Sequence, residues 1–179
     1  MKAAMNARIL AIVSAILVAA VLRLVPHPPN LTPIGAMALF SGAYLGRRAL
    51  AFAAPLGALL LSDLVLGFYS GMIVQYFAVA LVVLLGIAAL QRRSALRVGA
   101  AAIASSVLFF LITNLGVWAL SGMYPHTMLG LQACFVAAIP FFQNSVAGDL
   151  FYAALLFRGF ALLERAVPSL RAQQGALAA

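Results

Sequence analysis

The chain has 179 residues, 66% of them hydrophobic and only 8% charged, with a formal net charge of +8. Soluble globular chains run at about 45–50% apolar and about 25% charged, so this composition excludes an ordinary soluble domain, which would need more polar surface to face water all round. The basic residues lie between apolar runs rather than in a patch interleaved with aromatics, which excludes a nucleic-acid groove and makes them topology signals. The single cysteine, Cys134, excludes an internal disulfide. Transmembrane barrels need alternating polar and apolar positions, whereas these runs are apolar on every face. The expected fold class is therefore all-α, a polytopic membrane protein with one helical domain over residues 1–165 in the lipid bilayer.

The first run, 9–24, follows Lys2 and Arg8 in the manner of a signal peptide, but no small-x-small site closes it before Arg23, so it is expected to be retained as a span. On it Ala7, Ala11, Ala15 and Ala19 recur at every fourth position, a row of small residues that another helix can approach closely. The next loop holds Pro26, Pro28, Pro29 and Pro33. Each proline fixes its own φ and restrains the residue before it, so a stiff segment presents His27 and Asn30. Such a loop either joins two helices or walls a pocket. The run 34–45 is short for a crossing and reads as a tilted or protein-buried span, whereas 49–68, 72–90 and 98–120 have ordinary spanning lengths. The last stretch, 128–163, contains Pro140, which removes a helical hydrogen bond and clashes with the preceding turn. That predicts a short outer-side helix over 128–139, only about 18 Å long, then a final span over 143–163. Residues 166–179 are expected to form a frayed cytoplasmic tail.

Six spans with the N-terminus inside place Lys2, Arg8, Arg47, Arg48, Arg92, Arg93, Arg97, Arg158, Arg165 and Arg171 on the cytoplasmic side and only Arg23 outside. That asymmetry predicts both termini inside. The hydrogen-bonding side chains then gather in the outer half: His27, Asn30 and Thr32 in the first outer loop, Asp63, Tyr69, Gln75 and Tyr76 around the second, and Asn114, Trp118, His126, Gln132, Asn144 and Asp149 around the third. Polar groups buried in lipid are costly and mark ligand or ion pathways, so the outer end is expected to hold something arriving from outside. His126, Gln132 and Tyr69 read as loop residues touching water. Asp63, Asn114 and Asp149 lie deeper, where they either bond neighbouring helices or contact a ligand. Asp63 is placed to reach His27. There is no phosphate-binding glycine loop, no His-Glu-x-x-His and no serine-protease motif. Neither an enzyme, a metal site nor a cofactor is predicted, and active transport would draw its energy from a partner or a gradient.

The segment Pro28-Pro29-Asn30-Leu31-Thr32-Pro33-Ile34-Gly35, then Gly42-Ala43-Tyr44-Leu45-Gly46, Pro55-Leu56-Gly57 and Leu61-Ser62-Asp63-Leu64-Val65-Leu66-Gly67 resemble the substrate-binding S components of energy-coupling-factor vitamin transporters. The resemblance implies a multi-pass subunit of the bacterial cytoplasmic membrane that takes up a vitamin or related small cofactor. It implies an outer pocket drawing on His27, Asn30, Asp63, Tyr76, Asn114, Trp118 and Asn144. Ala11, Ala15 and Ala19 would dock an energising transmembrane subunit driven by ATPases. A histidine in the first outer loop with an aspartate ending the third helix is most similar to cobalamin-type members. Those use a cysteine near the start of the fourth helix, where this chain has Gln75 and Tyr76, so cobalamin is one candidate among several. The competing expectation is a non-transporting structural or assembly protein whose polar groups satisfy one another.

Overall fold

The computed structural model describes residues 2–46 and 49–171; Arg47, Arg48 and residues 172–179 of the expected tail lie outside the described residues, as do the side chains of residues 2–6, Lys2 among them. Six α-helices follow one another: α1 (Lys2–Leu22), α2 (Ile34–Leu45), α3 (Leu50–Leu66), α4 (Met72–Ala89), α5 (Ala95–Leu120) and α6 (Met128–Ala166). Among the described residues there is no strand. The helices α4, α5 and α6 are long and apolar enough to cross a membrane, while α2, α3 and the Ala7–Leu22 part of α1 are apolar but shorter.

The short helix α2 is the centre of the molecule. Every residue from Ala36 to Gly42 is buried, and α1, α3, α4, α5 and α6 all pack on it. Its closest neighbour is α4, where two glycines meet the facing backbone. A Cβ on Gly42 would fall 2.3 Å from the Val83 carbonyl oxygen, and one on Gly86 would fall 2.5 Å from the Leu39 carbonyl oxygen. In a bundle whose apolar side chains gain little by leaving lipid, such close backbone approach is what holds helices together.

The separate helix expected over 128–139 is not there. Residues 128–166 form one continuous helix of 39 residues that runs through Pro140. Proline deletes the hydrogen bond to the Val136 carbonyl, but ending a helix leaves four N–H and four C=O groups without partners, and in apolar surroundings no water replaces them. Losing one bond is the smaller penalty, and α3 carries Pro55 in its interior for the same reason. The helix starts where Thr127 caps it, its Oγ1 accepting from the Gly130 N–H at 3.1 Å. The first part of α6 packs antiparallel on the second half of α5, with the Phe110 ring 5.4 Å from Phe135 and, past Pro140, 4.8 Å from Phe142.

At the end of the bundle that carries most of the arginines, Phe40, Tyr44, Phe157 and Phe160 form an aromatic cluster, with Phe40 and Phe157 edge to face at 5.3 Å. The Arg93 guanidinium lies 4.4 Å from the Tyr44 ring centroid. Arg8 of α1 pairs with Glu164 of α6 at 2.5 Å and also donates to the Leu170 carbonyl. The first residues of the expected tail are held: Pro168–Leu170 form a 3-10 turn, and Leu170 is buried against α1 because Arg8 and an apolar side chain hold it there. Glu164→Gln should lower stability by about 1–2 kcal/mol, the cost of weakening a half-buried charged hydrogen bond, measured by reversible unfolding in mixed detergent micelles. An unchanged unfolding midpoint would show that the turn is held by Leu170 alone.

Candidate functional site

The opposite end, where the proline loop joins α1 to α2, is built around two buried carboxylates. Asp63, near the end of α3, is fully buried. Its Oδ1 accepts from Arg23 Nη1 at 2.5 Å, and its Oδ2 accepts from the Tyr76 hydroxyl at 2.9 Å. The same Nη1 donates to Ser62 Oγ at 2.5 Å. Asp63 thus bonds Arg23 and Tyr76 rather than the expected His27. A buried carboxylate requires a full counter-charge and several donors, which a guanidinium supplies better than an imidazole. Arg23 is the one basic residue that follows α1 directly, one residue past its last turn. In the loop between α3 and α4, burial and then the Asp63 carboxylate push the Tyr69 hydroxyl above its usual value, with Arg23 pulling the other way, so Tyr69 stays neutral.

Asp149 of α6 is 5% exposed and sits at the first turn of α2. Its Oδ2 accepts from Ser106 Oγ at 2.7 Å, and the Ala36 N–H bonds it as well. The residue in the capping position of α2 is Pro33, whose side chain has no acceptor. A carboxylate from another helix therefore serves the unpaired N–H groups and the positive end of the helix dipole. Gly35 makes room for it, since a Cβ there would fall 2.3 Å from Asp149 Oδ1.

The proline loop is fixed at both sides of its turn. Asn30 takes a left-handed conformation, φ 64°, which asparagine tolerates better than most residues. Asn144 of α6 donates its Nδ2 to the Pro29 carbonyl at 2.9 Å. Between this loop and the helices lies a cavity of about 240 Å³, lined by Arg23, His27, Asn30, Gln75 and Asp149 together with Ile34, Gly35, Leu66 and Phe109, among others. Two buried nitrogens on its walls, His27 Nε2 and Gln75 Nε2, have no hydrogen-bond partner.

Of the seven side chains expected at a pocket, His27 and Asn30 line this cavity. Asp63 holds Arg23 and is itself bonded by Tyr76, and Asn144 ties down the loop. Asn114 and Trp118 are elsewhere: Asn114 Nδ2 bonds the Phe110 carbonyl of its own helix, and Trp118 Nε1 bonds Pro125 at 3.0 Å beside the His126 ring. The alanine row leans into the bundle. Ala19 is 3% exposed and Ala11 and Ala15 pack against the core, while Leu10, Leu17, Val18 and Val21 form the outward face of α1. Arg23, Gln75 and Asp149 complete the cavity, and the signal for the first was its position as the lone cation beside a buried acid. Among the described residues no three His, Cys, Asp or Glu side chains come together as a metal site.

No curated protein and no solved structure matches the chain. A family model does match residues 3–170, a span that takes in both buried carboxylates, the proline loop and the cavity between them, and the chain belongs to that family, DUF6580, a family of unknown function.

Proposed function

We propose that the protein is a binding subunit of the bacterial cytoplasmic membrane that crosses it six times with both termini inside and captures a small molecule from the outer side for uptake. The observation that carries this reading is the cavity of about 240 Å³ at the proline-loop end, with buried nitrogens of His27 and Gln75 left unpartnered on its wall. Unsatisfied buried donors cost about 1–3 kcal/mol each unless a ligand or water supplies the acceptor. The concentration of basic residues at the other end supports the orientation. The volume suits a vitamin-sized or smaller ligand. An energising transmembrane subunit would meet the outward face of α1, Leu10, Leu17, Val18 and Val21, with Ala11 and Ala15 at its edge. A second reading, a structural subunit without a ligand, draws on the pairing of Asp63 with Arg23 and Tyr76, which needs no ligand to satisfy it.

Native mass spectrometry of the protein released from detergent separates the two. A bound small molecule is expected on the wild type and should be lost from His27→Trp, whose ring fills the cavity. A bare protein mass in both, with both folded, supports the structural subunit. A cytoplasm-dependent reporter should work when fused after Arg93 or Ala179 and fail after Asn30 or His126. A signal from the His126 fusion would reverse the orientation and with it the direction of capture.

A further inference from the structure

The chain has three acidic residues, and their partners differ. Glu164 is paired with Arg8 and Asp63 with Arg23. Asp149 is 5% exposed, lines the cavity, and has no cationic partner among the described residues. Its contacts are two hydroxyls, from Ser106 and Ser105, and one backbone N–H, from Ala36. A carboxylate offers about four acceptor positions, so three such neutral donors leave one for a cation that enters the cavity. Another part of the polar wall has the opposite character. The Gln75 amide nitrogen can only donate, His27 Nε2 can donate, and both are buried without partners. Arg23 bonds Ser62 and Asp63 through Nη1, stands with Gln75 beside the Tyr69 hydroxyl, and keeps further N–H groups on a residue that lines the same cavity. One wall therefore asks for a positive group and another for an acceptor, with the apolar Ile34, Leu66 and Phe109 among the other lining residues.

We propose that the ligand is a small zwitterion, with its ammonium on Asp149 and its carboxylate, or another anionic group, on Gln75, His27 and Arg23. This rests on the binding-subunit reading and narrows its ligand class. A cation alone would leave the Gln75 nitrogen without an acceptor, and an anion alone would put a second negative charge beside Asp149, whereas a molecule carrying both charges serves both walls at once. A volume of about 240 Å³ holds a molecule of about the size of an amino acid. A lipid headgroup with an ammonium and a phosphate has the same chemistry.

The test uses the full-length protein in dodecyl maltoside. Its melting temperature is followed against the twenty L-amino acids, γ-aminobutyrate and phosphoethanolamine. Each compound that stabilises is compared with the matched amine lacking the carboxylate and the matched acid lacking the amine; for leucine these are 3-methylbutylamine and 4-methylpentanoate. At least one zwitterion is expected to stabilise the protein while its amine and acid at equal concentration do not. By calorimetry Asp149→Asn and Gln75→Leu should each weaken that zwitterion by about tenfold or more, the effect of losing one charged or buried hydrogen bond. If Asp149→Asn fails to fold because α2 loses its cap, Gln75→Leu and His27→Phe carry the test alone. A parallel arm in nanodiscs compares phosphatidylglycerol with and without phosphatidylethanolamine, and stabilisation there without any free zwitterion makes a headgroup the source of the same group. Equal stabilisation by the amine or by the acid overturns the inference while the binding-subunit reading stands. If no compound and neither lipid stabilises the protein, the inference falls, and the binding-subunit reading falls with it only if nothing co-purifies with the protein either.

Discussion

Replacing Arg23 by methionine is expected to lower stability by about 3–5 kcal/mol, the penalty for leaving a buried carboxylate without its partner. Asp63 is fully buried between α3 and α4, and the guanidinium is the only cation that bonds it among the described residues. The Tyr76 hydroxyl and Ser62 remain in the variant, but neither brings a charge. Methionine fills most of the arginine stem, so the loss reports on charge rather than volume. Asp63→Leu alone should cost less than Arg23→Met, because an arginine next to the proline loop can swing its head toward water, whereas a carboxylate inside α3 cannot. The double variant should recover most of the stability, since an apolar pair replaces an ion pair at little net cost. The cycle, measured by reversible unfolding in mixed micelles, should show coupling of at least about 2 kcal/mol. Additive losses would mean that Asp63 draws its stabilisation from Tyr76, and the cavity wall would then not depend on the ion pair.

That ion pair also shows how far the sequence is legible here. The helical class, the helix over 34–45 and the burial of Asp63 and Asp149 follow from composition and depth, because a polar residue in an apolar run has nowhere to go but inward. The partners do not follow, because they depend on which helix faces which. Arg23 stood out only as the exception to the charge asymmetry, yet an isolated cation at the end holding a buried acid is its natural counter-ion. Asp149 was legible as buried but not as the cap of α2; the hint was Pro33-Ile34-Gly35, a helix start with no capping side chain and a vacancy beside it. Asn114 and Trp118 shared the expected side of the membrane with His27 but belong to the α5–α6 hairpin, because depth fixes height along a bundle and says nothing about position around it. Pro140 is a different case: a proline inside a helix breaks it readily in water, where the broken end is solvated, but not in an apolar setting, where it is not.

The same distinction between local and tertiary causes separates the glycines, and it gives the second large effect. In isolation any helical glycine is a defect, costing about 1 kcal/mol relative to alanine. Gly57 in α3 has nothing within 4 Å of where a Cβ would stand, so Gly57→Ala should raise stability by up to about 1 kcal/mol. Gly42 in α2 is the same residue in the same kind of helix, but its Cβ would stand 2.3 Å from the Val83 carbonyl oxygen and 2.9 Å from the Ile87 nitrogen. Both obstacles are backbone, which cannot rotate aside, so α2 and α4 would have to separate along their whole contact. Since α2 touches every other helix, that movement also disturbs the cap at Asp149 and the cavity behind it. Gly42→Leu should therefore destabilise by about 3 kcal/mol or more, at the upper end of overpacking effects, and Gly42→Ala by a smaller amount of the same sign. Both are read against Gly57→Ala by unfolding in mixed micelles. A stabilising Gly42→Ala would mean that α2 and α4 do not approach closely, and α2 would lose its place as the packed centre on which the site is built.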